Sequence, residues 1–116
     1  MFQGCSNLLY SPVLPALRTN INSYRELYYS CGSLTRIINY STSYASTNGY
    51  YQWTGSTNAS TKVPSTCLLV CNYQASTTHA NNIKGNCGSY IFYDIPNDKY
   101  YLSDKTTECD ENGNVI

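Results

Sequence analysis

Six cysteines, one histidine and a set of aromatic residues are the side chains of this chain best equipped for chemistry. Cys67, Cys71, Cys87 and Cys109 are widely and unevenly spaced, without the closely paired cysteines of zinc knuckles. At least one disulfide in an oxidising compartment is therefore the first expectation for these four, free thiols the second and a metal the last. His79 stands in a polar Thr-Thr-His-Ala-Asn-Asn stretch and reads as a solvated surface residue, and no nucleophile-elbow, phosphate-loop or His-Glu-x-x-His motif accompanies it. Glu108, Asp110 and Asn112 open like a calcium loop, but the chain ends before a twelfth-position Glu, so Asn112-Gly113 reads as a turn. We expect no catalytic residues, no metal and no cofactor.

Recognition is better supplied. Tyr50, Tyr51 and Trp53 offer flat rings that could stack on sugars, with Asn48, Gln52 and Asn58 as hydroxyl partners; the competing reading packs these rings inside. Charge is sparse and balanced, at seven basic against seven acidic side chains. Residues 94–116 hold six of the acids, which reads as a solvated acidic terminus. Scattered cations argue against a nucleic-acid partner. No apolar run approaches the roughly 18 residues of a membrane span. Leu, Ile, Val and Phe are scarce, and 13 Tyr with one Trp must supply the missing apolar bulk of any core.

The elements that would position these residues are suggested by internal similarity. Leu27-Tyr28-Tyr29-Ser30-Cys31-Gly32-Ser33-Leu34 repeats the character of Met1-Phe2-Gln3-Gly4-Cys5-Ser6-Asn7-Leu8 at a constant offset, which sets Cys31 under Cys5 and Leu34 under Leu8. Phe2, Cys5, Leu8, Leu14, Tyr28, Cys31 and Leu34 then become the repeating core, with Cys5 and Cys31 as reduced, small buried hydrophobes. The pattern Met1-Phe2-x-Gly4-Cys5-x-x-Leu8-x-x-x-Pro12-x-Leu14-Pro15-Ala16, with Tyr24 ahead of the second copy, resembles the BspA-type leucine-rich repeats of Bacteroidetes surface proteins. The second copy departs from it at Leu27, Tyr28 and Ser30 and lacks Pro-x-Leu-Pro. The segment through Trp53-Thr54-Gly55 looks like the degenerate end of such an array, and the likeness stops near residue 63. The resemblance implies surface display and adhesion, and a chain opening in mid-motif looks like the tail of a longer array.

The reading that follows is an α/β, mainly β repeat: a short leucine-rich-repeat solenoid with a β-rich C-terminal cap. Residues 1–40 would hold about one and a half coils, 41–66 a degenerate terminal repeat and Ser/Thr/Asn-rich loop, and 67–116 the cysteine-containing cap. Strands are expected at Leu9–Leu14, Leu34–Tyr40, 67–71, Ser89–Ile95 and Lys99–Ser103, with a short helix or 3₁₀ turn over Ala16–Glu26 spaced by Leu17, Ile21 and Tyr24. Asn48-Gly49 suggests a hairpin running into Tyr50–Trp53, and Asn72–Asn86 a turn-rich loop. The functional expectation is a non-enzymatic scaffold, extracellular or on a cell or particle surface, binding a protein ligand through a strand face that carries Tyr10 and Arg36. The alternatives are a carbohydrate-binding module using Tyr50, Tyr51 and Trp53, and a structural subunit of a fibre or phage-like appendage. Self-association through incomplete repeat ends belongs to the same picture.

Overall fold

Pro12 and Pro15 interrupt the first apolar run, and the strand it forms accommodates Pro12 at a bulge. In a computed structural model of the chain, which describes residues 2–19, 23–45 and 47–116, strand β1 spans Tyr10–Leu14 and pairs in parallel with β3, Arg36–Asn39. The register slips by one position between Tyr10 and Val13. There the Ser11 hydroxyl accepts the Ile38 N–H at 3.0 Å and donates to the Pro12 carbonyl at 2.7 Å. A side chain thus supplies a rung where the local ladder is broken, as edge strands with proline require.

Strand β3 continues in parallel to β5 (Leu68–Asn72), and β5 to β6 (Ser89–Asp94). The sheet then turns antiparallel through β7 (Lys99–Tyr101) and β8 (Glu108–Cys109). A two-stranded parallel ribbon of β2 (Arg18–Thr19) and β4 (Ser43–Tyr44) lies apart from it. Every residue of β5 is buried, as its unbroken apolar run suggested for a strand covered on both faces. One face of the sheet packs Ile37, Leu69, Cys71 and Phe92 against Tyr28, Cys31, Leu34, Trp53 and Ile83. The other gathers Leu68, Val70, Ile91 and Cys109, flanked by Ile38, Tyr93 and Tyr100.

The expected solenoid with a cap is not what forms. The structure is a compact mixed sheet of six strands, ordered β1-β3-β5-β6-β7-β8, with one helix among the described residues. A solenoid must advance by a near-constant repeat. Here the laterally aligned positions run Tyr10, Arg36, Leu68 and Ser89, an interval that first lengthens and then shortens, so the initial offset is not sustained. Beyond β6 the direction reverses, and the extents of 34 × 29 × 21 Å are those of a rounded body. The mainly β content stands.

Local expectations differ as well. The described part of Ala16–Glu26 is β2 followed by turns, and Ile21 lies outside the described residues, as does Met1. Asn48-Gly49 sits in a 3₁₀ turn, Thr47–Tyr50, whose exit is a further turn and not a hairpin. The polar stretch expected as loop contains helix α1, Thr77–Lys84. Its start is capped by the Ser76 hydroxyl, which accepts the His79 N–H at 3.0 Å, and its end is marked by Lys84 and Gly85. Gly85 has φ +55° and lies so close to Thr54 that a Cβ would meet its Oγ1 at 2.2 Å. Of the expected repeat core, Tyr28, Cys31 and Leu34 are fully buried, while Phe2, Cys5, Leu8 and Leu14 are half-buried at its margin.

Candidate functional site

Two of the sequence-derived binding residues come together on the face of the sheet away from α1. Tyr10 and Arg36 are Cα partners across β1 and β3, so their side chains share that face. Beside them opens a cleft of about 650 Å³ lined by Tyr10, Thr35, Arg36, Thr66, Leu68, Glu111 and Asn112. Tyr10 is 63% exposed, whereas the Arg36 side chain is only 20% exposed. The guanidinium donates to the Asn112 carboxamide oxygen and lies 4.0 Å from the Glu111 carboxylate.

Glu111 and Asn112 come from the C-terminal turn, which the sequence read as a solvated acidic end. Its shape is held by the Asp110 carboxylate, which accepts the N–H groups of Asn112 and Asn114, both at 2.9 Å, and these bonds lower the Asp110 pKa. The turn folds back over the sheet: Cys109 joins the second apolar cluster and bridges to Val115, and Gly113 rests above Ile91. The cleft therefore brings together an exposed aromatic ring, a guanidinium, two threonines, Leu68, a carboxylate and a carboxamide. Such a surface can hold a polar main chain and anchor an aromatic or apolar side chain against Tyr10.

The proposed sugar-stacking residues lie elsewhere and are mostly closed. Trp53 is 1% exposed, its indole N–H donating to the Ile83 carbonyl at 2.8 Å, and Tyr50 is 8% exposed. Their faces are occupied by one another at 5.0 Å between centroids and by Tyr24. Tyr51 is 45% exposed with the Arg25 guanidinium 4.4 Å over its ring. Of the hydroxyl partners, Asn58 is exposed but closes its own turn through Ser60, Gln52 is half-buried, and the Asn48 side chain lies outside the described residues.

His79 is not solvated: it is 6% exposed and stacked on Tyr44 at 5.3 Å. Its Nε2 is 3.0 Å from the hydroxyl of Ser41, which is 2.9 Å from the Tyr50 hydroxyl, which accepts from the Asn39 carboxamide at 3.2 Å. Asn39 donates into this chain, and the direction of the two Ser41 bonds follows the His79 tautomer. Burial lowers the His79 pKa from 6.5. A serine hydroxyl on an imidazole has the atoms of a nucleophile and its base, but Ser41 is completely buried. The arrangement organises a polar centre inside the fold and leaves no room for a substrate.

The four C-terminal cysteines expected to form a disulfide are free thiols, and so are Cys5 and Cys31. Cys71 and Cys87 are fully buried in the core that also holds Cys67, and Cys109 lies across the sheet from them. A hydrogen bond to Cys67, with burial behind it, raises the Cys87 pKa, and burial pushes Cys71 up to about 12. A side chain that sequence reasoning overlooked is Lys105. Its ammonium donates to the Tyr73 and Ala75 carbonyls at 2.9 and 2.5 Å and lies 4.7 Å over the Phe92 ring. No short-range pattern links positions so far apart in the chain, so nothing in the sequence marked it.

No protein-family model, no curated protein and no solved structure matches this chain. Among the described residues, no helix is long and apolar enough to cross a membrane.

Proposed function

We propose that the protein is a non-enzymatic binding module for a protein ligand, working at a cell or particle surface through the cleft of Tyr10 and Arg36. The observation that carries this reading is the pairing of a 63% exposed aromatic with a partly buried guanidinium on one rigid sheet face. Tryptophan, tyrosine and arginine are enriched among the residues that dominate binding at protein interfaces, where they fill well-packed, desolvated pockets. Parallel strand pairing fixes their spacing, which spares a ligand the cost of ordering them.

The test is selection of random displayed peptides on the intact chain, followed by affinity measurement with variants. Tyr10→Ala and Arg36→Ala should each weaken the selected peptides by about 2 kcal/mol, roughly thirtyfold. Selected peptides that bind both variants as well as the parent chain would place recognition elsewhere and defeat the proposal.

A further inference from the structure

A second cleft lies on the other side of the molecule, between residues 50–57 and the C-terminal end of α1. It measures about 320 Å³ and is lined by Tyr50, Gln52, Trp53, Thr54, Gly55, Ser56, Thr57, Asn82, Gly85 and Asn86. None of these side chains is charged. The aromatic pair contributes only margins, since Trp53 is 1% and Tyr50 8% exposed. The chemistry on offer is that of carboxamides and hydroxyls.

Several of those groups are fixed in place with hydrogen-bonding capacity left over. Asn86 Nδ2 donates to the carbonyls of Thr54, Gly55 and Ser56 at 3.2, 2.9 and 3.1 Å, which settles its orientation and leaves Oδ1 as an acceptor. Asn82 Nδ2 is held by the Tyr44 hydroxyl at 3.1 Å, again leaving the oxygen. The Gln52 carboxamide and the Thr57 hydroxyl make no hydrogen bond among the described residues. Gln52 also has φ +47°, a left-handed conformation unfavourable for a side chain of its size. Glycine would be the easier choice there, so the strained position carries a carboxamide at some cost.

We propose that this cleft binds one or two units of a neutral saccharide. Two fixed carboxamide oxygens, with the Gln52 carboxamide and Thr57 hydroxyl beside them, match the adjacent hydroxyls of a sugar, and a lining without charge favours a neutral ligand over an ionic one. The volume sits at the low end of small-molecule sites, which run from about 300 to 1,000 Å³. This binding uses Gln52 and Asn82 and no exposed ring face, so its affinity falls on the order of 1 mM for a single unit.

Titration of the isotope-labelled full chain with glucose, galactose, mannose, N-acetylglucosamine and their disaccharides tests it, read by NMR at the side-chain carboxamides. Saturable shifts are expected at the Gln52 and Asn82 NH₂ groups and at the Gly85 amide for at least one sugar. Gln52→Gly removes the carboxamide while suiting the local φ, so it should fold at least as stably and weaken that sugar about fivefold or more. Tyr10→Ala should leave the titration unchanged. Failure of every sugar in the panel to produce saturable shifts at these groups overturns the proposal. So does a response confined to the Tyr10 cleft, or one that Gln52→Gly leaves intact.

Discussion

His79 shows at the level of one side chain how burial converts a titratable group into a stability term. Its folded pKa lies below the unfolded value of 6.5, so the folded state binds its proton less readily than the unfolded chain. The associated stability is complete above pH 6.5 and is lost progressively as pH falls from there toward the lowered folded value. Once protonated, Nε2 can only donate to Ser41. Thermal melts across this range should show that slope in the parent chain, and a His79→Gln variant should lack most of it. An equal slope in both would remove His79 as its source. Trp53 presents the opposite case, where the chemistry is apolar bulk. Trp53→Ala should cost about 3–5 kcal/mol by chemical denaturation, since it empties the centre of the ring cluster and orphans the Ile83 carbonyl. Little of this was readable at single positions: a lone histidine between threonines and asparagines carries no mark of burial. Tyr10 and Arg36 were picked out through the strand face of the repeat reading, but their neighbours Glu111 and Asn112 stand at the far end of the chain.

Among the described elements, five of the eight strands were legible, while the two-residue strands β2, β4 and β8 and the helix were not. Leu68–Asn72 and Ser89–Asp94 announce themselves through β-branched and aromatic runs bounded by turn residues. Helix α1 buries only His79, Ala80 and Ile83, and its remaining residues are polar and of modest helix propensity. Its boundary signals were nonetheless present, in Ser76 before it and Gly85 after it. The approach to β6 depends on Gly88, where a Cβ would lie 1.7 Å from the Ser65 carbonyl oxygen. Gly88→Ala should therefore force the two entry segments apart, at about 2–3 kcal/mol in a denaturant titration. Those segments carry Cys67 and Cys87, with the Gly88 N–H bonded to the Cys67 carbonyl at 3.1 Å. Both thiols are buried and the Cys87 pKa is raised, so a small-molecule disulfide should leave them unmodified in the folded chain and react only on unfolding, read by mass. Rapid modification of the folded chain would contradict their burial.

Across the whole molecule, the first repeat interval was real as local pairing and misleading as a plan for the fold. Tyr10 does face Arg36, but the later steps to Leu68 and Ser89 follow no motif, and the sheet ends antiparallel at β8. A repeat unit read twice cannot reveal where its period stops. The opposite edge, β1, carries exposed Tyr10 and Val13 with Leu9 and Leu17 nearby, and it is guarded by the proline bulge. Replacing Pro12 with Val should restore a backbone donor and promote edge-to-edge association, seen as a shift toward larger species in sedimentation relative to the parent chain; an unchanged profile would show that the bulge does not protect the edge. The strand order has a mechanical corollary. Each main-sheet strand bonds only to the neighbours that precede and follow it along the sheet, with β1 at one border and β8 at the other. A tensile load applied between Tyr10 and Cys109 acts across the strands, along the hydrogen bonds. Rungs would part in succession and not in concert, so the protein should yield gradually at low force, like a fastener opened from its end.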